Sequence, residues 1–361
     1  MKFDLRRVGL TLAAPVLAIV FAMIVTSLIL LVAGDPVGKV WSTIFSSPRP
    51  RNEVNMINSA TMLYLSALAA AVGFRMNLFN IGVDGQYRIA AFVAAWVAGE
   101  AWFPGKLNVL FTLVVAVAVG ALWAGIAGLL RVTRGVSEVI ATIMLNSIAT
   151  ALVAWGLRKV AVTEGNNIHT KTIPGSSQLE GFNLISGAPN TVYTLVILAI
   201  VAGVFYWLLL SRTVFGFSLR ATGQSESAAV ASGVNVKKMI VVSMLISGGI
   251  AGLIGMPMLF GDQHNYGLTF QSGLGFAGIA VALLGRNNPI GIAFAAFLFA
   301  FLNEQSNKLQ LMAGVSNDLV SIIQGVIVLS VVIAYEVVRR VNNAAEQRAV
   351  ARSLELKGAA A

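Results

Sequence analysis

The chain has 361 residues, 57% of them hydrophobic and 11% charged, with a formal net charge of +10. So small a charged fraction, against about 25% in soluble domains, excludes an ordinary soluble protein and places the chain in a bilayer. With no cysteine and two histidines, His169 and His264, disulfides, thiolate metal sites and histidine clusters are excluded, and basic residues scattered at the ends of apolar runs exclude a nucleic-acid surface.

Apolar windows of about 20 residues mark membrane-crossing helices. Ten are expected, at 9–33, 57–73, 78–99, 108–130, 138–157, 191–211, 238–260, 272–285, 289–305 and 318–338. Arg6 and Arg7 precede the first run, which is too long for the core of a cleavable signal peptide and reads as a retained helix. Between the first two spans, VWSTIF carries aromatic and apolar residues suited to the membrane interface. The fold class is therefore all-α and polytopic, with one transmembrane domain over 1–340 and a charged, Ala-rich tail over 341–361.

Orientation follows from lysine and arginine. With the amino terminus inside, sixteen fall inside and eight outside, while Arg88 lies within a span. The excess inside sets both termini in the cytoplasm. It also places 212–236 in the cytosol, after the sixth span. On the outer side, 158–190 is rich in Asn, Gly, Ser and Pro and reads as exposed loop. Spans two to five and seven to ten then run in opposite senses, the pattern of inverted repeats. Each half opens near a glycine-broken polar element, NIGVDGQ at 80–86 and QSGLGFAG at 271–278. Paired interruptions of this kind point to a solute pathway at the repeat interface.

Within the first element, glycines permit unwinding that is tolerated at membrane depth only against protein or a water-filled cavity. Asn80, Asp84 and Gln86 can line a route there and hydrogen-bond a solute. Asp84 also stands four residues before Arg88, so the two can equally neutralise each other along a helix. Ser137 and Glu138 have the character of a helix start, whereas Asn146 lies deeper and suits a pathway or an interhelical hydrogen bond. Gln271 and Phe276 of the second element complete the pathway set. Asn303, Glu304 and Gln305 read as an outer helix end.

The cytosolic stretch 216–233, GFSLRATGQSESAAVASG, is a small polar helix with basic flanks. Thr222 or Gly223 can cap it, Glu226 suits the positive end of its dipole, and Gly233 can close it in a left-handed conformation. A helix of about two and a half turns is marginal by itself in water, so something packs on it. That is either its own spans or a partner.

Here the sequence resembles a known family. GFSLRATGQSESAAVASGVNVKK is similar to the cytoplasmic coupling segment of ABC-importer permeases, in the branch serving ribose-type sugars, nucleosides and branched-chain amino acids. FNIGVDGQ at 79–86, SEVIATIMLN at 137–146 and GFAGIAVALLGRNNPIG at 275–291 resemble signature stretches of its nucleoside-type members. Together they cover most of 57–305, and their occurrence in order is the specific signal. The family pattern has Glu where this chain has Asp84, which keeps the carboxylate and shortens its reach.

The resemblance implies a coupling set of Gly216, Leu219, Arg220, Ala221, Thr222, Gly223, Glu226, Ala228, Ala229 and Gly233, seated in a cleft of an ATPase subunit. Arg220 and Glu226 would be polar anchors, and Ala228, Ala229 and Val230 small apolar contacts. It implies a second, homologous permease, an extracytoplasmic substrate-binding protein, the inner membrane of a bacterium, and ATP with Mg on the partner rather than on this chain. The nearest approach to a phosphate loop, GDPVGKV at 34–40, is one residue short and has Val40 where Ser or Thr is required. HExxH and GxSxG are absent as well, so neither catalytic nor metal-binding residues are assigned. A simple-sugar permease and an ion-coupled secondary transporter are the competing functions, and the latter has no use for a docking helix.

Overall fold

The computed structural model describes residues 20–340, apart from 166, 269, 317, 335, 336, 338 and 339. The start of the first expected span and the tail 341–361 lie outside the described residues. Two compact units are distinguished, one from 47 to 304 and one formed by the remaining ends of the chain.

The larger unit is built on helices α3 (Pro50–Phe74), α4 (Val83–Glu100), α5 (Gly105–Arg134), α6 (Glu138–Val160), α7 (Val196–Arg212), α8 (Val214–Gln224), α9 (Glu226–Ala231), α10 (Val236–Gly252), the single turn α11 (Met256–Met258) and α12 (Leu274–Leu284). Helix α13 (Pro289–Ala313) begins in it. In the smaller unit, α1 (Val20–Ala33) and α14 (Asp318–Ala334) are shorter apolar helices, and VWSTIF lies in α2 (Val37–Ile44). There Trp41 donates from Nε1 to Ser27 Oγ at 3.0 Å and stacks on Phe45.

Among the described residues, five helices are long and apolar enough to cross a bilayer: α3, α5, α6, the continuous run Val236–Gln263 and α13. They become six if α7 and α8, bent by 73°, count as one. The difference from the ten expected spans has physical causes. Helix α4 carries Asp84, Arg88 and Glu100 in 18 residues. Helix α12 has 11 residues, about 16 Å at 1.5 Å per residue, half of a hydrocarbon core. Separately, the helix end expected at Asn303 to Gln305 is not found, since α13 runs on to Ala313.

Helix α3 is central, with 72% of its apolar window buried, whereas α6 has 28%. Small residues bring the backbones together. A Cβ on Gly120 of α5 would stand 2.2 Å from the carbonyl of Gly248 on α10, and one on Gly278 of α12 would stand 2.0 Å from Ser66 Oγ on α3. Packing on Gly, Ala and Ser replaces the hydrophobic drive that lipid removes. An apolar groove of about 840 Å³ remains between α3, α7 and the start of α13, lined by Tyr64, Gly203, Trp207 and Phe294 among others.

The loop expected at 158–190 is more structured than its composition suggests. It opens with a two-stranded antiparallel ribbon, β1 (Val162–Glu164) and β2 (Asn167–His169). It is then laced to the end of the α10 run. Thr170 N–H donates to the Tyr266 carbonyl, Tyr266 N–H to Thr170 Oγ1, Ile173 N–H to the His264 carbonyl and Leu179 N–H to the Phe260 carbonyl. His264 sits in the left-handed region at φ 55°. Burial holds its imidazole below the usual pKa, with Asp262 opposing.

Candidate functional site

The break between α3 and α4 is held open by one saturated amide. Asn80 is fully buried. Its Nδ2 donates to Gln86 Oε1 at 3.0 Å and to Ser247 Oγ at 2.8 Å, while its Oδ1 accepts from Gly82 N–H at 3.0 Å and Gln86 Nε2 at 2.9 Å. An amide offers two donors and two acceptors, so all of Asn80 is engaged in this conformation. Ser247 passes its own proton to the Ala69 carbonyl, tying α10 to α3. Asn146 of α6, half-buried, donates to the Ile81 carbonyl and accepts Gly85 N–H, both at 2.9 Å. The Ile81 carbonyl and the Gly82 and Gly85 amides at the break are thus answered by side chains, two of them by Asn146 of a neighbouring helix.

The two glycine-broken elements flagged in the sequence meet. Asp84 Oδ1 accepts Gly275 N–H at 3.2 Å, in the first turn of α12, where a carboxylate is favoured by the helix dipole. The approach is so close that a Cβ on Gly275 would lie 2.2 Å from Asp84 N. Arg88 donates instead to Thr150 Oγ1 of α6 at 3.0 Å, so the helical Asp84–Arg88 pairing gives way to two separate interhelical contacts. Tyr87 donates from its hydroxyl to the Gln271 carbonyl at 2.6 Å. Its ring joins Phe270 and Tyr266, the latter two stacked at 4.6 Å. Burial raises the Tyr266 phenol, and the neighbouring Arg88 partly offsets this.

These contacts separate the pathway set into two kinds. Asn80, Asp84 and Gln86 are buried, whereas Gln271 and Phe276 are exposed and Asn146 is intermediate. Arg88 and Thr150 belong beside Asn146 although the sequence reading left them out of the pathway set. Thr150 is one helical turn beyond Asn146, which is the signal that could have found it.

The docking stretch is two helices rather than one. Thr213 caps α8 through Gly216 N–H, and Ser225, in an extended conformation, caps α9 through Ala228 N–H. Thr222 and Gly223, expected as caps, instead lie in the last turn of α8, because Ser225 offers its hydroxyl where the backbone has already left the helix. Gly233 closes α9 at φ 80°, as read. Helix α8 turns away from α7 by 73° at a tight elbow. A Cβ on Gly216 would lie 2.3 Å from the Leu209 carbonyl, and Arg220 donates back to the Leu210 carbonyl.

Gly216, Leu219 and Thr222 face inward. Gly223 presses on the turn after α3, where its Cβ would meet the Arg75 carbonyl at 2.6 Å. That turn is itself anchored. Arg75 and the Tyr206 hydroxyl of α7 both donate to the Asn287 carbonyl. Ala221 is intermediate, Ala228 exposed and Ala229 buried, so Ala229 holds α9 down while its neighbour faces out. Glu226 approaches Arg131 of α5 at 3.4 Å. Outward stand Val214 at 82%, Phe217 at 64% and Val230 at 60% exposure. Val214 and Phe217 were not in the expected set, although their spacing of three, out of phase with the inward stripe, marks them as the opposite face.

Comparison with known proteins places this architecture. Residues 52–332 match the family model described as branched-chain amino acid transport system / permease component. The Guanosine ABC transporter permease protein NupP of Bacillus subtilis is 34% identical over 334 residues, covering 90% of this chain and 94% of the relative. The Nucleoside ABC transporter permease protein NupB of Lactococcus lactis is 30% identical over 338 residues, 89% and 90% of the two chains. The Glucose ABC transporter permease protein TsgB13 of Haloferax volcanii is 28% identical over 343 residues, 91% and 90%. The chain belongs to the branched-chain amino acid transport system / permease component family, as a multi-pass membrane permease.

Proposed function

We propose that this permease carries nucleosides or related ribose-containing solutes across a bacterial inner membrane as the transmembrane subunit of an ATP-driven ABC importer. The observation that carries the reading is likeness along nearly the whole length to permeases named for guanosine and nucleosides. ATP and Mg belong to a partner ATPase, which seats on α8 and α9. A substrate-binding protein delivers the solute to the outer loops, and a second, homologous permease completes the pathway. Ten spans, of which two to five and seven to ten form inverted repeats, with both termini cytoplasmic, provide the alternating access, α12 serving as a half-length element at the pathway.

Gln271, Phe276, Asn146, Arg88 and Thr150 offer the solute hydrogen bonds and an aromatic surface, and Asn80, Asp84 and Gln86 form the wall behind them. The glucose-named relative favours simple sugars as the second reading. The test is uptake by proteoliposomes holding the permease with its co-purified partners and internal ATP. Nucleoside accumulation that needs ATP hydrolysis and survives collapse of ion gradients supports the proposal. Accumulation of glucose or pentoses alone favours the second reading, and uptake that follows an ion gradient overturns both.

A further inference from the structure

Arg131 stands in the last turn of α5 with its side chain 28% exposed, between two carboxylates from different helices. One is Glu138 in the first turn of α6, whose side chain is 6% exposed and to which the guanidinium donates directly. The other is Glu226 in the first turn of α9, 59% exposed, at 3.4 Å. Glu138 does not stop at this ion pair with Arg131. Its second oxygen accepts Phe79 N–H at 3.3 Å, and the next residue along is the saturated Asn80. Three polar contacts therefore lead from α9 through Arg131 and Glu138 to Phe79 N–H, one peptide bond from the amide that holds the α3–α4 break open.

The two links differ in kind. Arg131–Glu138 is a half-buried pair, and removing Arg131 strands the Glu138 carboxylate away from water. Arg131–Glu226 is exposed and adds little to stability, so it can be made and released cheaply as α9 shifts. A guanidinium presents a planar fork of five donors, enough to serve both acids at once. From this we infer that Arg131 is a positioning residue for transport: it transmits the position of the docking segment to the polar break, with Glu138 as the fixed joint and Glu226 as the releasable one. The inference rests on the importer reading above.

The test uses the permease with its ATPase in proteoliposomes and reads solute taken up per ATP hydrolysed, alongside thermal unfolding. Arg131→Gln is expected to lower that ratio about tenfold, within the range of ordinary coupling between sites, and Arg131→Lys to recover part of it by keeping charge beside Glu138. Glu226→Gln, which leaves the half-buried pair intact, is expected to reproduce the fall in ratio with an unchanged unfolding temperature. If Arg131→Gln merely lowers the unfolding temperature and Glu226→Gln leaves the ratio at the wild-type value, Arg131 is structural and the inference is overturned. Wild-type uptake indifferent to ATP overturns the importer reading itself, a result distinct from an ATP-driven wild type with an unchanged ratio in the variants.

Discussion

The polar break at the start of α4 and the helices α8 and α9, proposed above for docking, reverse the usual distribution of side chains. In the first, deep in the helix packing, polar groups are matched to one another: Asn80 is fully buried and uses every donor and acceptor it has. In the second, at the end of the bundle, Val214, Phe217 and Val230 stand exposed on helices too short to persist alone. Saturation marks a scaffold and exposure marks a surface awaiting contact, so polarity alone is a poor guide to which residues touch a ligand or partner in this protein.

Substitutions should divide along the same line. The largest effect is expected at Gly275→Ala, where the new methyl meets the backbone of Asp84 and neither chain can yield. A loss of about 3 kcal/mol or more should appear as failure to recover a monodisperse membrane protein by size exclusion. Asn80→Ala comes next. It leaves Gln86, Ser247 and Gly82 N–H short of a partner, costing roughly 2 kcal/mol in detergent unfolding, and a variant of wild-type stability would break the scaffold side of the comparison.

On the docking side, Phe217→Ser with Val230→Ser should move stability by less than about 0.5 kcal/mol yet weaken capture of the ATPase about tenfold, measured by titrated pull-down. Ala229 is the wrong probe for docking, since it faces inward and a bulky charge there unseats α9 itself. The smallest effect belongs to neither region. The His264 imidazole has its pKa below the usual 6.5, so an opened outer loop binds the proton more tightly than the closed one. Loop stability therefore falls as pH drops through 6.5 toward the lower value and is kept above it. Amide exchange at Thr170 and Ile173 should quicken on acidification, and His264→Gln should flatten the response.

Local features were the legible ones. The left-handed Gly233, the acid at the start of α9 and the glycine-broken stretches each follow from one residue's own preferences, and the long apolar runs gave α3, α5, α6, α10 and α13 directly. Ser225 is as readable a cap as Thr222 and Gly223, because within TGQS three residue types can serve the same role. What the chain could not disclose locally are the partners. Asp84 reaches Gly275 across 191 residues and Arg88 reaches Thr150 across 62, while the nearer Asp84–Arg88 pairing satisfied every local rule. The length of α12 was hidden for a related reason: its glycines look like packing sites in a full span, and only tertiary contact decides where the helix begins.

The elbow at Gly216 has a mechanical consequence. Thr213 and Arg220 brace α8 against the last turn of α7 by donating to the Leu209 and Leu210 carbonyls, which gives the pair the shape of an angled crank. Its arms are about 25 Å and 16 Å, from 17 and 11 residues at 1.5 Å each. In a rigid rotation about the elbow, the far end of the long arm would travel about half as far again as the tip of the short one.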